Sequence, residues 1–156
     1  MLCDNTSSLL VQTNIALDKE TRVLVIGQYI QHVADCTEGV SMDRKMIYIN
    51  KWRSGVMTAL RSNCSPWKRD LADRCDLLMQ LYNYTDSKGR TLPILDRRHI
   101  IAALYYVCDP NDVIPDTNLS GGFADDAFAV NYCLKGLLKR HPWLAIKLLS
   151  QPLGQL

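Results

Sequence analysis

The chain has 156 residues, 47% of them apolar and 22% charged, with 18 Lys and Arg against 16 Asp and Glu for a formal charge of +2. These figures describe a domain-sized chain able to bury its own core, and they exclude intrinsic disorder and collagen-like structure. The near balance of charge argues against a protein whose main work is coating nucleic acid, and the longest strongly apolar run, Ile100 to Cys108, falls far short of the roughly 20 residues that cross a bilayer.

Apolar spacing is helical along the chain, with neither sustained alternation nor the Asn-Gly and Asp-Gly signals of hairpins. The pattern predicts an all-α protein, a single compact bundle of about five to seven helices over residues 1–156. Residues 8–35 carry Leu9, Leu10, Ile15, Leu17, Val23, Leu24, Ile26, Tyr29, Ile30 and Val33, as one long helix or two short ones with Asp18 as an internal cap. Cys36-Thr37-Glu38-Gly39 reads as a break, and a second helix opens near Ser41 and runs to about Arg61, with Ile47, Ile49, Trp52, Val56 and Leu60 as its apolar positions. Ser65-Pro66 is a strong start signal, since proline at the first helical position has no amide to leave unpaired. That helix is expected to reach about Tyr84, with Trp67, Leu71, Cys75, Leu78, Met79 and Tyr82 inward. After a loop to Pro93, Asp96 can cap a helix that must end before Pro110; two more follow, Phe123 to Arg140 and Pro142 to Ser150.

The six cysteines, Cys3, Cys36, Cys64, Cys75, Cys108 and Cys133, form no Cys-x-x-Cys motif. The opening Met1-Leu2-Cys3-Asp4-Asn5 has neither the positive start nor the apolar run of a secretory leader, so a cytoplasmic location with free, mostly buried thiols is the expectation.

The most informative stretch is Asp109-Pro110-Asn111-Asp112-Val113-Ile114-Pro115-Asp116, followed by Gly121-Gly122-Phe123-Ala124-Asp125-Asp126-Ala127. A helix that ends in Asp-Pro-x-Asp-x-Ile-Pro-Asp, then a glycine-containing connection, then Asp-Asp-Ala opening the next helix resembles the YkvA-like family, a bacterial domain of unknown function. The resemblance rests on Pro110, Asp112, Ile114, Pro115, Asp116, Gly122, Asp125, Asp126 and Ala127 and covers about residues 100–138. It implies a helical hairpin and no assigned activity. This chain departs from the family in carrying the polar Thr117-Asn118-Leu119-Ser120-Gly121 where relatives are apolar, which argues against membrane insertion here.

Carboxylates at Asp125 and Asp126 suit the first turn of a helix, where free amides and the positive end of the dipole favour them. If Asp112, Asp116, Asp125 and Asp126 converged, they would instead form an oxygen site for magnesium or calcium, with Arg97 and Arg98 as alternative counter-charges. No cofactor is otherwise expected. His32, His99 and His141 show no metal-ligand spacing, and no local signature marks a cysteine nucleophile paired with His99. The segment from Leu134 to Leu149 carries four Lys or Arg and no acid, a pattern compatible with an anionic membrane surface but also with a solvated cationic face over buried leucines. Trp52 and Trp67, each beside cations, read as core residues with basic neighbours, and nucleic acid is not the expected partner.

The sequence therefore points to a non-enzymatic helical interaction or regulatory module whose partner is a protein. The runner-up is a divalent-metal-dependent phosphoester hydrolase built on the Asp cluster, and the third reading is peripheral membrane binding through the basic C-terminal segment.

Overall fold

The computed structural model describes residues 19–37, 39–62, 65–109 and 123–144. Among them are five helices and no strand: α1 (Lys19–Cys36), α2 (Val40–Arg61), α3 (Pro66–Tyr82), α4 (Ile94–Cys108) and α5 (Ala124–Arg140). The protein is an all-helical bundle. The expected start of the first helix near Ser8, and most of a last helix over 142–150, lie outside the described residues.

The apolar run that is too short for a membrane forms the axis of this bundle. Ile100, Ile101, Ala102, Ala103, Leu104, Tyr106, Val107 and Cys108 are all buried, and a helix that is apolar on every side belongs at the centre of a fold. Accordingly α4 packs against each of the other four helices. The others follow round it in the order α1, α5, α3, α2, each packed on the next. Alanines at 102 and 103 keep α4 slim where neighbours meet it, while Tyr106 meets Tyr29 of α1 edge-on at 5.7 Å and Tyr105 meets Tyr48 of α2 at 5.2 Å.

Local chemistry accounts for the helix ends. Thr37 is fully buried and its hydroxyl donates to the Val33 carbonyl at 2.6 Å, closing α1; Gly39 then takes a positive φ of 55° to open α2. The start of α3 falls at Ser65-Pro66, but the Ser65 side chain makes no cap bond; its carbonyl accepts the amides of Lys68 and Arg69 instead. Asp96 is not the cap of α4. The helix begins two residues earlier, with Pro93 at the capping position and its carbonyl accepting the Arg97 amide at 3.1 Å, which frees the Asp96 carboxylate for tertiary work.

Two expectations about the core are corrected. Trp52 and Trp67 are 47% and 40% exposed rather than buried, and Ile47 is 69% exposed. Helix α2 packs chiefly on α3 and α4, with Ile49, Met57 and Leu60 buried, and the side that carries Val40, Ile47 and Lys51 is exposed. The thiols are also not uniform: Cys75, Cys108 and Cys133 are free and buried, whereas Cys36 is disulfide-bonded. Disulfide pairing depends on the Cα atoms approaching within about 7 Å, which cysteine spacing does not reveal.

Candidate functional site

Asp96 is 3% exposed, and two residues from the far end of α5 converge on it. Arg140 Nε donates to Oδ1 at 2.6 Å, and His141 Nε2 donates to Oδ2 at 2.5 Å. Both carboxylate oxygens are thereby engaged, as a buried charge requires. The chain leaves α5 at His141 with φ −131° and ψ 75°, and this departure swings the imidazole back towards the start of α4. The proton on Nε2 is fixed by its acceptor, so Nδ1 is the nitrogen left for other contacts.

This junction separates two clefts. On one side His141 lines a recess of about 400 Å³ with Tyr84, Arg90, Leu92 and Trp143, where the Tyr84 and Trp143 rings meet at a tilt, 5.6 Å apart. On the other side Arg140 lines a cleft of about 500 Å³ between α1, α4 and α5, together with Gln31, His99, Tyr132, Lys135 and Lys139. Among the described residues no carboxylate lines that second cleft. Beyond Tyr132 and Gln31 the groove continues between α1 and α5 as a lobe of about 610 Å³ that includes Glu20 and Asp35. Gly27 sets the division: a Cβ there would stand 2.8 Å from the Tyr132 ring, so the missing side chain lets the ring lie across α1.

Of the four acids read as a cation site, Asp125 and Asp126 occupy the first turn of α5 and are 5% and 3% exposed. Asp112 and Asp116 lie outside the described residues, as do Pro110, Ile114, Pro115 and Gly122 of the same motif. Among the described residues no group of three or more His, Cys, Asp or Glu is arranged to hold a metal ion. Arg97, read as a counter-charge for these acids, places its guanidinium over the Tyr82 ring at 4.6 Å.

Among the described residues the three free thiols are held in the protonated form. Burial pushes Cys75 well above the ordinary thiol range, and it pushes Cys108 and Cys133 up to about 12. The Asp126 charge adds to the rise at Cys75 and Cys108, whereas at Cys133 the Arg140 guanidinium opposes it. His99 is not paired with a thiol; its ring bonds Leu95 and Gln31.

The described part of the basic C-terminal stretch has three of its leucines in the core. Leu134 and Leu137 are buried beneath α5 and Leu144 is fully buried, so Lys135 and Lys139 form the outward face. No helix among the described residues is long and apolar enough to cross a membrane. The two exposed tryptophans each carry a lysine amine over one ring face, Lys51 over Trp52 at 5.3 Å and Lys68 over Trp67 at 5.5 Å.

Sequence reasoning did not find the Asp96 junction. Its signal was present as Arg140-His141 directly before Pro142, two donors at the point where a helix must stop, but nothing local joins them to an acid 44 positions away. Comparison with family models, with curated proteins and with solved structures finds no match for this chain.

Proposed function

We propose that this protein is a non-enzymatic interaction module that docks an acidic amphipathic helix of a protein partner on the outward face of α2. The observation that carries the reading is a stripe of six exposed residues, Val40, Arg44, Ile47, Lys51, Ser54 and Thr58, spaced four, three, four, three and four residues apart. That spacing holds them on one narrow face of the helix, away from the buried Ile49, Met57 and Leu60. Val40 and Ile47 are 65% and 69% exposed, and Arg44 and Lys51 stand beside them. Single exposed apolar residues are ordinary, but apolar positions two turns apart on one face, flanked by cations, match a helix that presents leucine-type anchors with acidic neighbours.

Membership of the YkvA-like family belongs to this proposal and rests on the motif residues quoted above. So does a cytoplasmic location, on which the Cys36 disulfide sets a condition, because reducing compartments keep such bonds open.

The test is photo-cross-linking in cells, with a benzophenone side chain placed at position 47 and, as a control, at position 139. The reading expects a protein adduct at 47 that maps to an acidic amphipathic helix, and none of that segment at 139. Adducts at 47 with segments lacking net negative charge, or no protein adduct at all, would contradict it.

A further inference from the structure

The cleft between α1, α4 and α5 has a chemistry distinct from the α2 face. Its cations are Lys135 and, about one turn on, Lys139 and Arg140 of α5, with His99 reaching in from α4. One wall is aromatic, formed by Phe128 and Tyr132. A volume of about 500 Å³ falls in the range of sites that take small molecules.

Arg140 is held in a posture suited to an anion. Its Nε is committed to Asp96 at 2.6 Å, which fixes the plane of the guanidinium and turns the two terminal nitrogens elsewhere. They lie over Gly136, where a Cβ would stand 2.9 Å from Nη1 and 3.4 Å from Nη2. A glycine inside a helix is unfavourable relative to alanine, and here its absent side chain is what lets the arginine lie flat against α5. A guanidinium anchored through Nε with both terminal groups available is the fork that matches two phosphate oxygens.

His99 is locked by a hydrogen-bond chain whose directions follow from its ends. Gln31 Nε2 donates to Asp35 Oδ1 at 3.0 Å, so Gln31 Oε1 faces His99 Nε2 at 2.9 Å and must accept from it. The Leu95 carbonyl, 2.7 Å from Nδ1, is likewise only an acceptor. Both ring nitrogens thus have partners, which fixes the orientation of the ring. Asp35 lines the neighbouring lobe, not the basic one.

We propose that this cleft binds a phosphate monoester of a ring-bearing alcohol, with Lys135, Lys139 and Arg140 holding the phosphate and Tyr132 packing against the ring. A doubly charged phosphate balances several cations in a cleft that no carboxylate lines among the described residues, and the aromatic wall gives the remainder of the ligand an apolar surface. The same monoester chemistry occurs in free nucleotides and in phosphorylated inositol lipids, so the source is decided by experiment.

Calorimetric titration of the full chain with adenosine monophosphate and with inorganic phosphate tests the site. The proposal expects saturable binding of both, tighter for the nucleotide, and a loss of about tenfold or more for each of Lys135→Gln and Lys139→Gln, in line with a charge-assisted contact. Both lysines are exposed, so these variants fold; Ile47→Asp on α2 should leave the affinity unchanged, which separates this site from the α2 reading. Gly136→Ala should weaken binding with no loss of helix content, because it displaces the tip of Arg140. A parallel arm uses vesicles containing phosphatidylinositol 4-phosphate, with phosphatidylserine vesicles as control. Retention on the first alone, released by inorganic phosphate, assigns the monoester to a lipid headgroup. No saturable binding in either arm, equal retention on both vesicles, or affinity unchanged in the lysine variants would overturn the proposal.

Discussion

Asp96 and the pair Asp125 and Asp126 sit in equivalent places, the first turn of α4 and the first turn of α5, and all three are buried. Their fates differ. Asp96 is gripped from the opposite end of the neighbouring helix by Arg140 and His141, so it pins the end of α5 to the start of α4. Asp125 and Asp126 lie 29 and 30 positions further along, and the Asp126 charge reaches inward to raise the buried thiols of Cys75 and Cys108. An acid in a first turn is thus a local signal with two outcomes, and burial alone does not tell them apart; the identity of what packs against it does.

The largest expected effect follows from removing the clamp. Asp96→Ala strips the acceptor from two donors, and since Arg140 is 44% exposed the loss should fall below the full penalty of a broken buried pair, at about 2–3 kcal/mol by urea denaturation. Asp126→Asn should cost less, about 1 kcal/mol, the scale on which the dipole at the start of α5 favours a carboxylate. The same variant settles the metal reading: melting temperatures in chelator and in magnesium, calcium or manganese are expected to coincide, and a saturable rise lost in Asp126→Asn would instead establish a cation site.

A smaller effect appears at high pH. Cys108 and Cys133 have folded-state values of about 12 against an ordinary 9.0, so their protonated form is favoured by folding. Stability from these groups is complete below about pH 9 and declines as pH rises from there towards 12, because the unfolded chain has already lost these protons. Each thiol also reports on the nearer acid site. Asp126→Asn should lower the Cys108 titration followed by thiolate absorbance, whereas Arg140→Gln should raise that of Cys133. The smallest stability change is expected at Ile47→Asp, within about 0.5 kcal/mol, since nothing in the fold leans on that side chain.

The helical class, the break at 36–39, the start at Ser65-Pro66 and the stop after Cys108 were all legible, because each depends on neighbours within a turn or two. The apolar run from Ile100 to Cys108 was legible as a run, and its continuous burial makes α4 the axis. What could not be read was tertiary. Ile47, Trp52 and Trp67 carry core-like spacing, yet α2 packs chiefly on α3 and α4 and leaves Ile47 and Trp52 exposed, and the start of α3 projects Trp67 outward. Asp96 looked like a cap because caps are what acids at helix starts usually are, and its partners lie 44 and 45 residues away. The importance of Gly27 and Gly136 depends on which side chains cross them, Tyr132 and Arg140, and no pattern within α1 or α5 encodes that crossing.

Amide hydrogen exchange of the chain, free and bound to the partner recovered by cross-linking, tests the docking claim most directly. The account predicts slowed exchange across residues 40–54 of α2 and unchanged exchange at 135–140. Protection centred on α5, or no change on α2, would contradict it.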